Sequence, residues 1–492
     1  MAGIKYLLGN SVMRNIAYAQ TILIGLMVTP IIVRTLGSEG YGQWVLINTL
    51  LAYFVIFDFG FSTGVSRYVS REHGSELRDA LQRYISTSFA VLSAALLLSL
   101  LIVAAGFLLF HDTVYEMIPP PLVKASTILV ISYSVMIPLR VFHGVLRSQL
   151  RWNVISGIEI IKALVMNTCI VVLLLRGWGV YALIYCNAAF LILEYGAYYV
   201  FSKRALEYTL SPRYCDFATF KELWGYSLSF FANQMSVVFG RRIQNYFIAI
   251  FISVPAVTVY SIGVQLLGYF ESCMLSIFDI FTPYFSRMEK DMDQVLEDYL
   301  QVSAYCFALS AFAGFMIFMY AKPFIYHWLG GEFLGSYEVV VLLCIPYVLY
   351  LSHIPGRNLL FGTSRHQFLV WLSVAECAVT FLLLVALIRD FGMDGVLWSM
   401  AGTMLVFRGV LFPMLLFRKV ALSPLRYFRE VYLRQSVIYL LPQVAVYFLI
   451  FRNMDVFSYE IGFVLLLQLL IFAGTLALFV RRDIRQPVAA RS

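Results

Sequence analysis

The chain of 492 residues is 61% hydrophobic, 16% aromatic and only 13% charged, and its mean hydropathy is +0.81. Soluble domains are about half apolar and about a quarter charged, so this composition excludes a soluble enzyme, a disordered scaffold and a nucleic-acid-binding module. The net charge of +8 fits a membrane protein whose basic residues collect in cytoplasmic loops. The composition therefore predicts a polytopic integral membrane protein.

Apolar runs long enough to cross a bilayer recur along the whole chain. A spanning helix needs about 20 apolar residues, and the alternating pattern of barrel strands does not occur. The N-terminal run predicts a retained first span rather than a cleaved leader. We predict an all-α protein with about fourteen transmembrane helices, at residues 12–34, 43–64, 84–110, 123–146, 154–175, 180–201, 223–251, 258–283, 300–322, 336–361, 368–388, 395–417, 434–451 and 458–480.

The basic residues predict the orientation of these spans. Most of the 36 Lys and Arg residues fall in connections that are cytoplasmic if the N-terminus is inside, such as those containing Arg67, Lys203 and Arg418. Because cytoplasmic loops are enriched in Lys and Arg, both termini are expected in the cytoplasm. All connections are short, so we expect no extramembrane catalytic domain and no enzyme. The seven cysteines form no CxxC pair and no P-loop or HExxH motif is present, so we expect no metal and no cofactor.

An internal repeat divides the chain. LLAYF at 50–54 matches LLGYF at 266–270, and in a register one residue longer Arg140 and Glu159 align with Arg357 and Glu376. Two halves with an even number of spans each would be parallel repeats, a common transporter plan with a cavity between the halves. The predicted domains are a six-helix bundle at 1–216, a second six-helix bundle at 217–432, and a helix pair with a cytoplasmic tail at 433–492.

Charged residues inside the predicted spans are the main candidates for a functional site. Each costs about 2.5–3.5 kcal/mol at the centre of a lipid-facing helix, so they should face the protein interior or water. Guanidinium groups suit phosphate and carboxylate oxygens, which predicts an anionic binding cavity. The residues assigned to this cavity are Arg140 and Arg357, facing each other, with Arg241, Arg408, Gln234 and Asn245. Arg241, Gln234 and Asn245 share one helical face with Ser227.

Acids in the same spans suggest ion coupling, because a carboxylate can take up and release a proton as its surroundings alternate. The candidates are Asp58, Glu194, Glu271, Glu159 and Glu376. Structural readings remain open beside these functional ones. Glu159 and Lys162 lie three residues apart on one helix face and are equally compatible with a structural ion pair. His143 and His353 are weaker candidates, since a single helix histidine is more often a hydrogen-bonded wall residue.

The segment TPIIVRTLGSEGYGQWVLINTLLAYFVIFDFGFSTGVSRYVSRE carries a family resemblance. Its LG-x-E-x-YG turn, its FDFG segment with Asp58 and Gly60, and the Arg67–Tyr68 pair resemble the opening of Wzx-type oligosaccharide flippases. These are polysaccharide transporters of the multidrug/oligosaccharidyl-lipid/polysaccharide exporter (MOP) superfamily. The resemblance implies a MATE-like fold of two bundles, and a substrate that is an undecaprenyl-pyrophosphate-linked sugar repeat unit. No site residue is carried over from the family.

The resemblance also implies a place and partners. The protein would lie in a bacterial cytoplasmic (inner) membrane and move its substrate to the outer leaflet for cell-surface polysaccharide, such as the O-antigen of lipopolysaccharide. Its partners would be the lipid-linked oligosaccharide, membrane lipids, a coupling ion (H⁺ or Na⁺) and polysaccharide polymerase or assembly proteins. One alternative is an ion-coupled multidrug cation exporter of the same fold, in which acids should dominate the cavity. A membrane-embedded polysaccharide polymerase is disfavoured by the short external loops.

Overall fold

The computed structural model describes residues 2–70, 77–287, 292–363, 365, 367–450 and 461–485. Within these ranges the chain is almost entirely helical and contains no strand. Ten helical stretches of the described chain are long and apolar enough to cross a membrane. The predicted turn between the last two spans falls within 451–460, outside the described residues.

Backbone contacts divide the chain into two compact units. Unit 1 comprises Met1–Ser261 and Ser373–Val396, and unit 2 comprises Ile262–Leu372 and Leu397–Ser492. The division into 1–216, 217–432 and 433–492 stays a prediction. The first seven helices belong to unit 1: α1 Ala2–Ala52, α2 Phe61–Val69, α3 Leu77–Met117, α4 Pro120–Ser148, α5 Trp152–Leu175, α6 Val180–Ala205 and α7 Phe217–Phe251.

The remaining helices contribute mainly to unit 2, although α8 begins and α13 partly lies in unit 1. They are α8 Val254–Phe278, α9 Phe281–Arg287, α10 Met292–Leu329, α11 Ser336–Ser352, α12 Ile354–Gly362, α13 Gln367–Thr403, α14 Phe412–Val420, α15 Pro424–Tyr427, α16 Leu441–Leu449 and α17 Ile461–Arg485. Three π-helical segments, Met404–Leu411, Phe428–Leu433 and Ser436–Leu440, lie among the last of these.

Two long helical stretches each cover a pair of predicted spans, and a glycine separates the two spans of each pair. The stretch Ala19–Asp58 overlaps two predicted spans, and the stretch Gln367–Val420 contains two more. Gly37 (φ 69°) interrupts the first and Gly392 (φ 55°) the second. A residue with a side chain adopts this left-handed conformation only at a cost, so glycine is the residue that permits both turns. The predicted span 223–251 and residues 434–449 of the span predicted at 434–451 also fall on helix, although neither is among the ten stretches.

In unit 1, α4 packs directly on the short helix α2. A Cβ added at Gly144 would lie 2.4 Å from the carbonyl oxygen of Ser62, so only glycine permits this approach. In unit 2, α12 packs on α9 in the same way, and a Cβ at Gly362 would lie 3.0 Å from the Thr282 carbonyl oxygen. These contacts hold α4, which carries Arg140, against α2, and α12, which carries Arg357, against α9.

Buried glutamines join the last two helices. The Gln443 side chain donates to the Gln468 carbonyl and the Gln468 side chain donates to the Gln443 carbonyl, each at 3.5 Å. Tyr320 of α10 donates its hydroxyl to Gln468 Oε1 at 2.6 Å. Because a polar group buried without a partner is costly, this reciprocal pair fixes α16 and α17 on α10.

Candidate binding sites in the two units

In unit 1 a break between α1 and α2 places a buried aspartate. A 3₁₀ turn, Tyr53–Asp58, ends α1, and Phe59 and Gly60 then take positive φ angles of 48° and 81°. Asp58 accepts hydrogen bonds from the Ser62 hydroxyl at 2.6 Å and from the Ser62 backbone N–H at 3.4 Å. The carboxylate therefore caps the start of α2 while it lies inside the protein.

Arg140 of α4 is the cationic partner of this aspartate. Its Nε lies 3.5 Å from Asp58 Oδ1, and the two side chains are 20% and 3% exposed. Asp58 was predicted as an ion-coupling residue and Arg140 as an anion-binding residue, and the structure places them in one pair. The acid comes from a distant part of the chain, so no local spacing indicated it.

Two cavities lie along the same face of α4. An inner cavity of about 80 Å³ is lined by Asp58, Arg140 and Gln234. An outer cavity of about 610 Å³ is lined by residues of α1, α4 and α5, including Trp152 and Glu159. His143 and Arg147 line both cavities.

Lys162 pairs with Glu194 rather than with Glu159. Lys162 Nζ donates to Glu194 Oε2 at 2.7 Å, and the Tyr198 hydroxyl donates to Glu194 Oε1 at 3.1 Å. The local Lys162–Glu159 pair that the spacing left open therefore gives way to a pair between α5 and α6. Glu159 is an exposed residue of the outer cavity. Both acids stay candidates for ion coupling.

The polar stripe of α7 meets three different surroundings. Gln234 lines the inner cavity, whereas Asn245 is buried and donates to the Thr49 hydroxyl of α1 at 2.8 Å. Ser227 is buried and Arg241 is exposed. The stripe therefore combines a cavity wall with an interhelical hydrogen bond. Glu376 is half-buried in the part of α13 that belongs to unit 1.

In unit 2 a second cluster forms around Tyr350. Its hydroxyl donates to Glu271 Oε1 at 3.0 Å, and Arg357 Nη1 approaches the same hydroxyl at 3.5 Å. The guanidinium of Arg408 lies over the Tyr350 ring, 4.4 Å from its centre. Arg408 belongs to the π-helical segment Met404–Leu411, and such segments occur often at functional sites. The structure thus brings Arg357, Arg408 and Glu271 together.

Arg357 also has an acidic neighbour, since its Nη2 lies 3.9 Å from Asp279 Oδ1 and both side chains are 32% exposed. Asp279 directly follows α8 and precedes α9, as Asp58 precedes α2. Each unit therefore contains an aspartate at a helix break paired with an arginine. Neither Asp279 nor Tyr350 was among the predicted site residues. The repeated Phe-Asp of FDFG at 57–60 and FDIF at 278–281 was the available signal.

The weaker histidine candidates differ from each other. His353 is buried, and its Nε2 lies 2.9 Å from the Tyr432 hydroxyl, which makes it a hydrogen-bonded wall residue. His143 lines the two cavities. In the described part of the chain, no group of three or more His, Cys, Asp or Glu residues is arranged to hold a metal ion.

Comparison with solved structures identifies the fold. Over 97% of this chain and 100% of the other, the fold matches the lipid II flippase MurJ in an inward closed conformation, with a TM-score of 0.72 and 14% identity. It also matches an inward-facing multidrug resistance MATE family transporter of the MOP superfamily (TM-score 0.67, 15% identity, 82% and 94% covered). A MOP superfamily transporter from Pyrococcus furiosus Vc1 gives a TM-score of 0.56 at 14% identity, with 85% and 96% covered.

The protein is thus a multi-pass, all-α membrane protein with the fold of MOP superfamily transporters, which confirms the predicted fold class. A family model described as polysaccharide biosynthesis protein matches residues 31–338, and the chain belongs to that family. This match confirms the family indicated by the N-terminal motifs. Comparison with curated individual sequences gives no significant match.

Proposed function

We propose that this protein is a flippase that moves polyprenyl-pyrophosphate-linked oligosaccharides across the bacterial cytoplasmic membrane by alternating access, for cell-surface polysaccharide biosynthesis. Membership of the polysaccharide biosynthesis family supports the sugar substrate. The fold shared with a lipid II flippase supports a lipid-linked one. The O-antigen of lipopolysaccharide is one polymer that such a repeat unit would build.

The observation that carries the proposal is the set of arginines held within apolar helices. Arg140 lines a cavity, and Arg357 and Arg408 converge on Tyr350. A guanidinium has five N–H donors in a planar fork, so a single carboxylate contact leaves donors for a second anion. These groups suit the pyrophosphate of a lipid-linked sugar.

The acidic partners supply a means of coupling. Asp58 competes with a substrate phosphate for Arg140, and Asp279 competes for Arg357. A proton or a sodium ion taken up by the aspartate removes or offsets its charge and releases the arginine for the pyrophosphate. Loss of that ion restores the pair and expels the anion. Glu194, Glu271, Glu159 and Glu376 remain further candidates for this role.

A multidrug cation exporter of the same fold is the main alternative. For the Pyrococcus furiosus MOP transporter, reverse polarity of the binding pocket is taken to suggest a different function. Here the candidate sites contain arginines as well as acids, which favours an anionic substrate. A polysaccharide polymerase would need acid and base residues on an external loop, and the short predicted loops disfavour it.

Reconstituted proteoliposomes test the proposal. The substrate is a fluorescent polyprenyl-pyrophosphate disaccharide, and a membrane-impermeant reductant reports its movement between leaflets. Wild-type protein should accelerate the movement, and Arg140→Gln with Arg357→Gln should abolish most of it. Arg204→Gln, which removes an exposed arginine at the end of α6, is the control and should keep the wild-type rate. Equal rates in all three proteins would reject the anion sites.

A further inference from the structure

The outer cavity of unit 1 has the size of a ligand site. Its volume of about 610 Å³ lies within the range of roughly 300–1,000 Å³ that is usual for ligand pockets. It is open and lies between α4 on one side and α1 and α5 on the other. Of the residues that line it, only Glu159 and the weaker candidate His143 were predicted as site residues.

The cavity reaches from the start of α5 into the membrane-spanning part of that helix. Trp152 and Ala163 both line it, and at 1.5 Å per residue this stretch of α5 is about 16 Å long. That is about half of the roughly 30 Å hydrocarbon thickness. The connection between α4 and α5 is cytoplasmic in the predicted orientation, and that orientation places the cavity in the cytoplasmic half of the membrane.

A basic ladder on α4 links this cavity to the inner one. Arg147, His143 and Arg140 recur at intervals of four and three residues, which places them on one helical face. Arg147 and His143 line both cavities, and Arg140 lines the inner one beside Asp58. An anionic group that enters the outer cavity therefore meets a cation or an imidazole at each turn of α4.

The chemistry of the outer cavity suits a sugar next to a phosphate. The Arg147 guanidinium lies over the Trp152 ring, 5.3 Å from its centre, so a cation covers part of an aromatic face that lines the same cavity. An indole face packs against the C–H face of a pyranose. The Ser156 hydroxyl and the Glu159 carboxylate can bind sugar hydroxyls. The Gln20 side chain, which also lines the cavity, donates a hydrogen bond to the Ile160 carbonyl at 2.9 Å.

The aligned sequence of the second half does not repeat this lining. The repeat register that aligns Arg140 with Arg357 places Leu360, Ser364 and Leu369 at the positions of His143, Arg147 and Trp152. The second half thus keeps the deeper arginine but lacks the basic ladder and the tryptophan.

We propose that the outer cavity is a loading subsite that receives the pyrophosphate and the first sugar from the cytoplasmic leaflet before the pyrophosphate reaches Arg140. Arg147 and His143 hold the pyrophosphate, and Trp152 stacks on the sugar. The proposal rests on the proposed function, since it assigns a place to that substrate.

Binding to the purified full-length protein in nanodiscs tests the subsite. Three probes are used: farnesyl-pyrophosphate-linked N-acetylglucosamine, farnesyl pyrophosphate and inorganic pyrophosphate. Trp152→Leu should weaken binding of the sugar-bearing lipid about tenfold and leave farnesyl pyrophosphate within about twofold. Arg147→Gln should weaken both lipids about tenfold or more. Inorganic pyrophosphate should bind at least tenfold more weakly than either lipid; equal binding of all three would identify a general anion site and reject the sugar contact.

Matched variants separate a lost contact from a damaged fold. Trp152→Phe keeps an aromatic face and should bind the sugar-bearing lipid within about threefold of wild type. Trp178→Phe, at an exposed tryptophan outside the cavity, and Arg204→Gln should bind as wild type does. If Trp152→Leu and Trp178→Phe bind the sugar-bearing lipid equally well, the subsite is wrong.

Translocation distinguishes failure of the subsite from failure of the proposed function. If Arg147→Gln and Trp152→Leu move the fluorescent lipid-linked disaccharide at the wild-type rate, the loading subsite is rejected and the flippase function stands. If wild-type protein itself moves none, the proposed function falls, whatever the binding data give. Slow movement by the two variants, relieved at high substrate concentration, is the result that the loading role predicts.

Discussion

The Asp58–Arg140 pair should contribute more to folding than the Asp279–Arg357 pair. At separations of 3.5 and 3.9 Å, the direct attraction is similar, about 5 and about 4 kcal/mol at an effective dielectric constant of 20. Burial differs much more, because the Asp58 side chain is 3% exposed and that of Asp279 is 32% exposed. Charge exposed to lipid would be costly, so we expect the exposed parts of the second pair to be hydrated and screened.

Double-mutant cycles measure this difference. Asp58→Asn keeps an oxygen that can accept from Ser62, so it removes the charge without removing the cap of α2. Together with Arg140→Gln it should give a coupling energy of about 2 kcal/mol in the free energy of unfolding, within the range for contacting residues. Asp279→Asn with Arg357→Gln should give less than about 1 kcal/mol, as for exposed pairs.

The assay is unfolding by SDS in mixed micelles, with four proteins in each cycle. All variants must keep the helical content of the wild type in the folded baseline. Equal coupling energies in the two cycles, or a larger one for Asp279–Arg357, would refute the reasoning that burial rather than distance decides the strength of these pairs.

Three further predictions concern the fold around the sites. Gly144→Ala should lower the free energy of unfolding by about 1–3 kcal/mol, since the added Cβ would meet the Ser62 carbonyl oxygen. Gly157→Ala, with open space around it, should be neutral or stabilising. Equal effects of the two variants in SDS unfolding would exclude the close approach. Gln468→Leu should cost about 1–3 kcal/mol, because the Tyr320 hydroxyl loses its acceptor and the Gln443 carbonyl loses its donor. It should also speed proteolysis of α17, and unchanged cleavage would contradict the role of the pair. Asp216 caps α7, and hydrogen bonds from Thr219 and Ala218 lower the pKa of its carboxyl group. The stabilising contribution of Asp216 is therefore present above the ordinary carboxyl pKa of about 3.9 and is lost as the pH falls through the lower pKa of the folded state. Asp216→Asn should remove this part of the dependence of unfolding on acid pH. An unchanged dependence would contradict the capping role.

Hydropathy and glycine patterns were enough to predict the membrane helices. In the described residues the predicted spans fall mostly on helix, apart from short breaks such as Phe59–Gly60, and the turn that separates the first two is made by Gly37, a residue of the LG-x-E-x-YG motif. These features are local, because a helix that crosses a membrane satisfies its own backbone hydrogen bonds. The fold class therefore followed from the sequence.

Partners between helices could not be predicted in the same way. The spacing offered Glu159 as a partner for Lys162, but α6 packs on α5 and brings Glu194 to the lysine instead. The partner of Arg140 depends on the close packing of α2 on α4 at Gly144, which no periodicity reveals. The Phe-Asp segments that precede α2 and α9 carried part of this information, although they lie outside the two registers of the internal repeat.

The sign of the charge that the protein transports is the most direct test of the account. Proteoliposomes containing the wild-type protein, with an imposed pH or sodium gradient, are given either a fluorescent polyprenyl-pyrophosphate disaccharide or the organic cation ethidium. The account predicts movement of the pyrophosphate-linked sugar, a strong loss of that movement in Arg140→Gln, and no protein-dependent movement of ethidium. Transport of ethidium without movement of the lipid-linked sugar would contradict it and identify a cation exporter.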